Sequence, residues 1–219
     1  MIRLNIVVEG QTEEAFVNEV LLEHLQRLGI YATPILLRTS KTGRGGVSTF
    51  AKIEHQVTRL CKEDTGAYVT TMLDYYGLPK DFPAIQQKNP RDAYQSVNLL
   101  EAGFQARIGY PQRFIPGILL HEFEALLFAD INSFDILEAD CPGIVASLTK
   151  EVAGIEPEAI NDRPETAPSK RIIKHFSRYQ KPLHGSLVAM DVGLDTMKAR
   201  CPHFSQWLGK LEMLKPLAS

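Results

Sequence analysis

Cysteine is scarce in this chain. Its 219 residues include three, Cys61, Cys141 and Cys201, and no two form a CxxC pair. An odd, sparse set argues against a disulfide scaffold and fits a reducing cytoplasm. Neither sign of charge is in excess. The formal net charge is -2, so any binding of nucleic acid needs a local basic patch. No apolar run approaches the roughly 20 residues of a membrane span. The opening residues show no basic region, apolar stretch and cleavage site of a secretory leader. A soluble, cytoplasmic protein with no membrane partner is the expectation. The nucleophile elbow GxSxG, the zinc motif HExxH and the phosphate loop GxxxxGK[ST] are all missing. Cys201-Pro202-His203 supplies too few zinc-type ligands, which predicts a buried cysteine beside a helix-starting histidine. The chain also lacks internal repeats and low-complexity segments.

What remains is an ordinary globular composition, 44% hydrophobic and 23% charged, which argues against disorder. The first half alternates strand-like and helix-like segments. Residues 3–8 read as a buried strand. Ala15, Phe16, Val20, Leu21, Leu25 and Leu28 recur at helical spacing until Gly29, predicting a helix over 12–28. Residues 31–37 form a second strand, followed by a basic, Gly-rich loop from Arg38 to Gly46. Ser48 is a candidate cap for a helix striped by Phe50, Ile53, Val57 and Leu60. Residues 67–73 are a third strand. Asn89-Pro90 reads as a helix start, and residues 114–120 as a fourth strand. This order predicts an α/β fold with a mainly parallel four-stranded sheet flanked by helices. Residues 1–130 form that core in this reading. Residues 131–219, rich in short helical pieces and prolines, form a helical extension packed on it.

Acidic residues stand where the strands end. The first strand runs into Glu9-Gly10-Gln11-Thr12-Glu13, the third into Asp74-Tyr75-Tyr76-Gly77, and the fourth into His121-Glu122-Phe123-Glu124. Ligands of open α/β sheets bind at the carboxyl ends of the strands. Oxygen donors gathered there suit a hard divalent ion such as Mg²⁺ or Mn²⁺, and such an ion suits phosphoryl chemistry. Glu9, Asp74, Glu122 and Glu124 are therefore the candidate metal ligands. The same residues also serve as caps and turn formers. Glu13 and Glu14 are explained by the helix dipole and rank below Glu9. Whether Glu122 and Glu124 face one side depends on whether their segment is extended or helical. Gly10 permits a close approach and Gly77 a sharp turn.

Two basic elements accompany the acids. Arg38, Lys41 and Arg44 share the glycine-rich loop and could bind phosphate, or that loop is simply surface. Lys170, Arg171, Lys174, Arg178 and Lys181 follow Thr166-Ala167-Pro168-Ser169. At helical spacing 170, 174, 178 and 181 share a face, a pattern that tracks a phosphate backbone or is merely solvated. Lys170 or Lys181 could stabilise charge on a transferred phosphate. The Tyr75-Tyr76 pair could stack on bases.

The strand-Glu-Gly-x-x-Glu opening and the later strand-Asp resemble the Toprim domain of topoisomerases, bacterial primases and overcoming-lysogenization-defect nucleases. The set Val8 to Glu13, Asp74 to Pro79, His121 to Phe128, Thr166 to Arg171, and Cys201 to Phe204 with Trp207-Leu208 resembles more closely an uncharacterised, Toprim-like prokaryotic family. Its genes often lie beside an ATPase gene, including in abortive-infection pairs. The resemblance implies a Toprim-like fold in which Glu9 and Asp74 match the Toprim acids. It departs at Tyr76, where the Toprim pattern has a second aspartate. The combined expectation is a Mg²⁺-dependent nuclease acting on DNA or RNA, the effector of an ATPase in anti-phage defence. Glu9, Asp74, Glu122 and Lys170 would be catalytic, with Glu9 doubling as general acid or base. The alternative is a non-catalytic subunit that binds a nucleotide or the ATPase, and self-association stays open. A third reading, a small-molecule phosphatase, requires a closed pocket.

Overall fold

Strand β1, Ile2–Val8, buries five of its seven side chains, because it lies between two neighbours and under helices on both sheet faces. The computed structural model describes residues 1–37, 49–89, 91–161 and 166–217. The sheet order is β2-β1-β3-β4. Strand β2 is Ile30–Leu36 and β3 is Ala67–Asp74. Both run parallel to β1, with Val8 opposite Leu36 and Met72. Pro34 is tolerated in β2 because that strand lies at the sheet edge.

The expected fourth strand is broken in two. Phe114–Ile115 (β4) and Ile118–Leu119 (β5) each pair with β3 in parallel. The break falls at Gly117, where a Cβ would lie 2.3 Å from Trp207 Nε1 and 2.4 Å from the Thr71 carbonyl oxygen. There the Thr71 hydroxyl donates to the Gly117 carbonyl at 2.9 Å and accepts from the Gly117 amide at 3.0 Å.

The first helical run comprises α1 (Gln11–Phe16), a π-helical turn (Val17–Leu21) and α2 (Leu22–Arg27). Helices α3 (Phe50–Glu63) and α4 (Ala93–Ile108) cover one face of the sheet. Phe50, Phe82, Phe104 and Phe114 meet edge-on there, with centroids 4.8 to 5.6 Å apart. Such pairs add about 0.5–1.5 kcal/mol each beyond burial. The cap of α4 is Asp92, which accepts from the Gln95 amide at 2.9 Å. The helix thus starts after the expected Asn89-Pro90.

The other face is covered by α1, α2 and the second half of the chain. That half holds 3₁₀ segments Phe123–Ala129 and Ile131–Leu137, helices α5 (Ile144–Glu151) and α6 (Pro168–His175), and a π-helical turn Lys181–Gly185. Helices α7 (Ser186–Val192), α8 (Leu194–Arg200) and α9 (Pro202–Glu212) complete it. Phe16 packs edge-on against Phe123 at 5.2 Å and Phe204 at 6.1 Å, which ties the first helix to the C-terminal half. No helix among the described residues is long and apolar enough to cross a membrane.

Candidate functional site

The carboxyl ends of β1 and β3 bring Glu9 and Asp74 together. The Asp74 amide donates to Glu9 Oε2 at 3.2 Å. Asp74 Oδ1 accepts from the Phe123 amide at 3.0 Å, which draws in the chain that follows β5. Glu13 turns back on the same loop and accepts from the Gly10 amide at 2.9 Å. It is buried, unlike an ordinary first-turn acid. Gly77 is required by packing more than by backbone conformation. A Cβ there would lie 2.6 Å from Glu9 Oε1, so only glycine lets that carboxylate lie flat against the turn.

The 3₁₀ segment after Glu122 brings both its acids to one cation. Lys181 Nζ donates to Glu124 Oε2 at 2.9 Å and lies 4.0 Å from Glu122 Oε1. Glu122 Oε2 accepts from the Ser169 amide, 3.1 Å away at the start of α6. Glu124 is fully buried, and its Oε1 has no hydrogen-bond partner among the described residues. The buried Tyr179 hydroxyl also lacks one.

Burial disfavours the charged form of several of these acids. It is the largest cause of the upward shifts of Glu9 and Glu13. Burial, then the neighbouring Glu13, Glu9 and Glu124, pushes Asp74 well up. Burial lifts Glu124 to about 7 despite the opposing pull of Lys181. For Lys181 burial acts downward, but Glu124 and Glu122 outweigh it and the net shift is upward. The ammonium is therefore charged, and the acids crowd more negative charge than it can neutralise.

The basic residues fall otherwise than expected. Helix α6 ends at His175, so Arg178 and Lys181 are not on it and no continuous basic stripe forms. Arg171 is buried, donating to the Thr166 carbonyl at 2.8 Å and lying 3.6 Å from Glu151. Lys174 pairs with Glu151 at 3.1 Å. Both serve the α5–α6 contact. Lys170 is exposed, whereas Lys181 is the lysine found among the acids. Arg38, Lys41 and Arg44 lie outside the described residues. His203 contacts Glu101 at 3.2 Å and the Ile118 carbonyl at 3.0 Å, and Cys201 is buried. That pair is structural, as its sequence suggests. Glu13 and Tyr179 escaped the sequence reading: a first-turn glutamate has a dipole explanation, and a lone tyrosine before Lys181 carries no signal.

Oxygen donors of this kind suit a hard divalent cation. The Glu124 oxygen left without a partner among the described residues, and the crowding of acids around one lysine, mark the cluster as short of positive charge. The acids are nonetheless engaged singly, by backbone amides or Lys181. No group of three His, Cys, Asp or Glu among the described residues has the spacing of a metal site. Glu9, Glu13, Asp74 and Glu124 supply oxygen donors of the right chemistry, but the spacing among the described residues is not that of an assembled metal site.

Fold and site together describe a parallel α/β protein with an acidic cluster at the strand ends. The chain matches the family described as Domain of unknown function (DUF4276) over residues 8–212 and belongs to it. No curated protein matches the chain. Among solved structures it is similar to the C-terminal region of the OLD protein of Xanthomonas campestris pv. campestris. The iodine-phased structure is 17% identical with a TM-score of 0.47, covering 97% of this chain and 94% of that one. The mercury-phased structure is 15% identical with a TM-score of 0.43, covering 96% and 98%. Scores this low carry no functional argument, and the fold description rests on the strand order above.

Proposed function

We propose that the protein is a Mg²⁺- or Mn²⁺-dependent phosphodiesterase acting on nucleic acid. The observation that carries this reading is the meeting of Glu9, Glu13, Asp74, Glu122 and Glu124 at the strand ends, with Lys181 among them. A divalent ion there would polarise the phosphodiester and help to ionise an attacking water. Glu9, Glu13, Asp74 and Glu124 would hold it as carboxylates. Lys181, already facing Glu122 and Glu124, would stabilise charge on the phosphate. In this reading it would take the role that the sequence left open between Lys170 and Lys181, a choice supported by its position beside Glu122 and Glu124. Coupling to an ATPase in anti-phage defence rests on the sequence resemblance alone.

The test is cleavage of labelled plasmid, single-stranded DNA and total tRNA with Mg²⁺ or Mn²⁺. Wild type is compared with Glu9→Gln and Asp74→Asn, with and without the neighbouring ATPase. Metal-dependent cleavage lost in both variants supports the reading. A folded protein that cuts nothing under any condition favours the second reading, a non-catalytic subunit. The second reading draws on the same cluster, since Lys181 already occupies Glu124 and no three acids among the described residues stand at ligand spacing.

A further inference from the structure

The turn that follows Asp74 and the residue that precedes Glu122 build a second feature beside the acids. Tyr75 and Tyr76 stack with centroids 6.5 Å apart and planes 30° apart. His121 lies 5.9 Å from the Tyr76 ring, and the Tyr76 amide donates to the His121 carbonyl at 3.2 Å. His121 has φ +66°, a left-handed conformation that a non-glycine residue adopts at a cost and that clusters at functional sites. These rings wall an open cleft of about 450 Å³ whose lining includes Asn89, Arg91 and Asn161. That volume lies within the range of small-ligand sites, about 300–1,000 Å³.

The lining suits a flat, polar-edged ring. Tyr76 is 41% exposed at the cleft. Lys88 already lies 4.2 Å over the Tyr75 ring. Asn161 Nδ2 contacts His121 Nδ1 at 3.0 Å and the Tyr76 hydroxyl, while its buried Oδ1 has no hydrogen-bond partner among the described residues. Every nucleobase carries at least one N–H donor on its edge that such an acceptor could meet. Arg91 is exposed at the cleft. The acids of the lining are committed elsewhere. Asp92 caps α4 at 2.9 Å, and Glu158 accepts from Tyr94 and from the amides of His203 and Phe204.

We propose that this cleft is a subsite for one unstacked nucleobase of a single-stranded nucleic acid. It deepens the nuclease reading and rests on it for its consequence: a base seated here places its phosphate next to the strand ends that carry Asp74 and Glu122. Aromatic faces bind bases with little regard to sequence, so the protein accepts unpaired strands of varied sequence and disfavours duplex.

The experiment is fluorescence anisotropy of the full chain, with Ca²⁺ in place of Mg²⁺. The probes are short labelled oligo(dA) and oligo(rA), the same DNA with abasic sites, a duplex, and AMP as competitor. Removing a stacked base contact costs about tenfold in affinity. Tyr76→Leu should therefore weaken single-strand binding about tenfold, while Tyr76→Phe, which keeps the ring, stays near wild type. The abasic strand should bind wild type about as weakly as the intact strand binds Tyr76→Leu. Unequal dA and rA affinities would identify the preferred strand, and competition by AMP alone would show that the base contact acts without a longer backbone. Three results overturn the proposal: abasic and intact strands binding equally, Tyr76→Leu leaving affinity unchanged, or duplex binding as tightly as single strands. Base-dependent binding without cleavage would sink the nuclease reading alone. Acid-dependent cleavage without base-dependent binding would sink the subsite alone.

Discussion

Lys181 Nζ lies 2.9 Å from a carboxylate oxygen of Glu124, a residue with no surface exposed to solvent. One oxygen of that carboxylate is satisfied and the other is not. The lysine thus acts as a partial counterion in a cluster that holds more acid than base, and the chemistry of the cluster depends on how the remaining charge is met.

The first consequence is pH dependence. Glu124 titrates near 7 in the folded protein against an ordinary 4.5. The folded state therefore binds its proton more tightly than the unfolded chain does. Its contribution is fully present below about pH 4.5 and is lost as pH rises through about 7. Asp74, Glu9 and Glu13 shift in the same direction. For Glu124 alone the loss is on the order of 3 kcal/mol. Urea denaturation in metal-free buffer should show stability falling across that window. Glu124→Gln, which cannot ionise, should flatten the decline. An unchanged slope in that variant would show that Glu124 does not titrate there.

Removing the lysine should make metal matter more. Lys181→Met leaves Glu124 and Glu122 without their cation, and the loss of the pair should cost about 1–3 kcal/mol, reduced from a fully buried pair by the lysine's partial exposure. A divalent ion then meets less competition from the ammonium. Thermal unfolding should show a larger stabilisation by millimolar Mg²⁺ or Mn²⁺ in the variant than in wild type. In both proteins the shift should grow with pH, because the ion displaces protons. If neither protein responds to metal at alkaline pH, the cluster is not a cation site.

The sequence carried the sheet because buried parallel strands read as apolar runs closed by glycine or acid, and β1 and β3 do so plainly. It carried Glu9 and Asp74 for the same reason, since each is the first acid after such a run. It did not show that the break at Pro116-Gly117 packs against Trp207, distant in sequence. Nor did it show the scattering of the basic residues. Spacing predicted one helical face through residue 181, but α6 stops at His175 and the chain turns toward the acids. Tertiary contact decided those features, and local periodicity carries no record of it.

Gly77 offers a cleaner probe of the acid geometry than deletion of a carboxylate. Gly77→Ala keeps every ionisable group but places a methyl 2.6 Å from Glu9 Oε1, so the carboxylate or the turn must move. Overpacking of this kind costs about 1–3 kcal/mol, and a displacement near 1 Å at a reacting centre costs about a hundredfold in rate. The expected result is a folded protein with metal-dependent cleavage and metal-induced stabilisation both reduced. Gly209→Ala is the control. It lies within α9 with nothing near its added methyl, and should gain up to about 1 kcal/mol from helix propensity. Equal activity in the two variants would mean that the position of Glu9 is unimportant.

The last prediction separates scaffold from chemistry in the C-terminal motif. Glu158 is buried, and its carboxylate accepts from the His203 and Phe204 amides, each at 2.9 Å, at the start of α9. Pro202 at the first position of that helix has no N–H to satisfy, so the two following amides depend on Glu158. Glu158→Ala leaves both donors buried without a partner, and each such group costs about 1–3 kcal/mol. Chemical denaturation should therefore show a loss of about 2–6 kcal/mol. Added Zn²⁺ should restore none of it, because His203 is engaged by Glu101 and Ile118. The Mg²⁺-induced shift of the residual folded protein should persist. Recovery by Zn²⁺ would instead make Cys201 and His203 ligands and overturn their structural assignment.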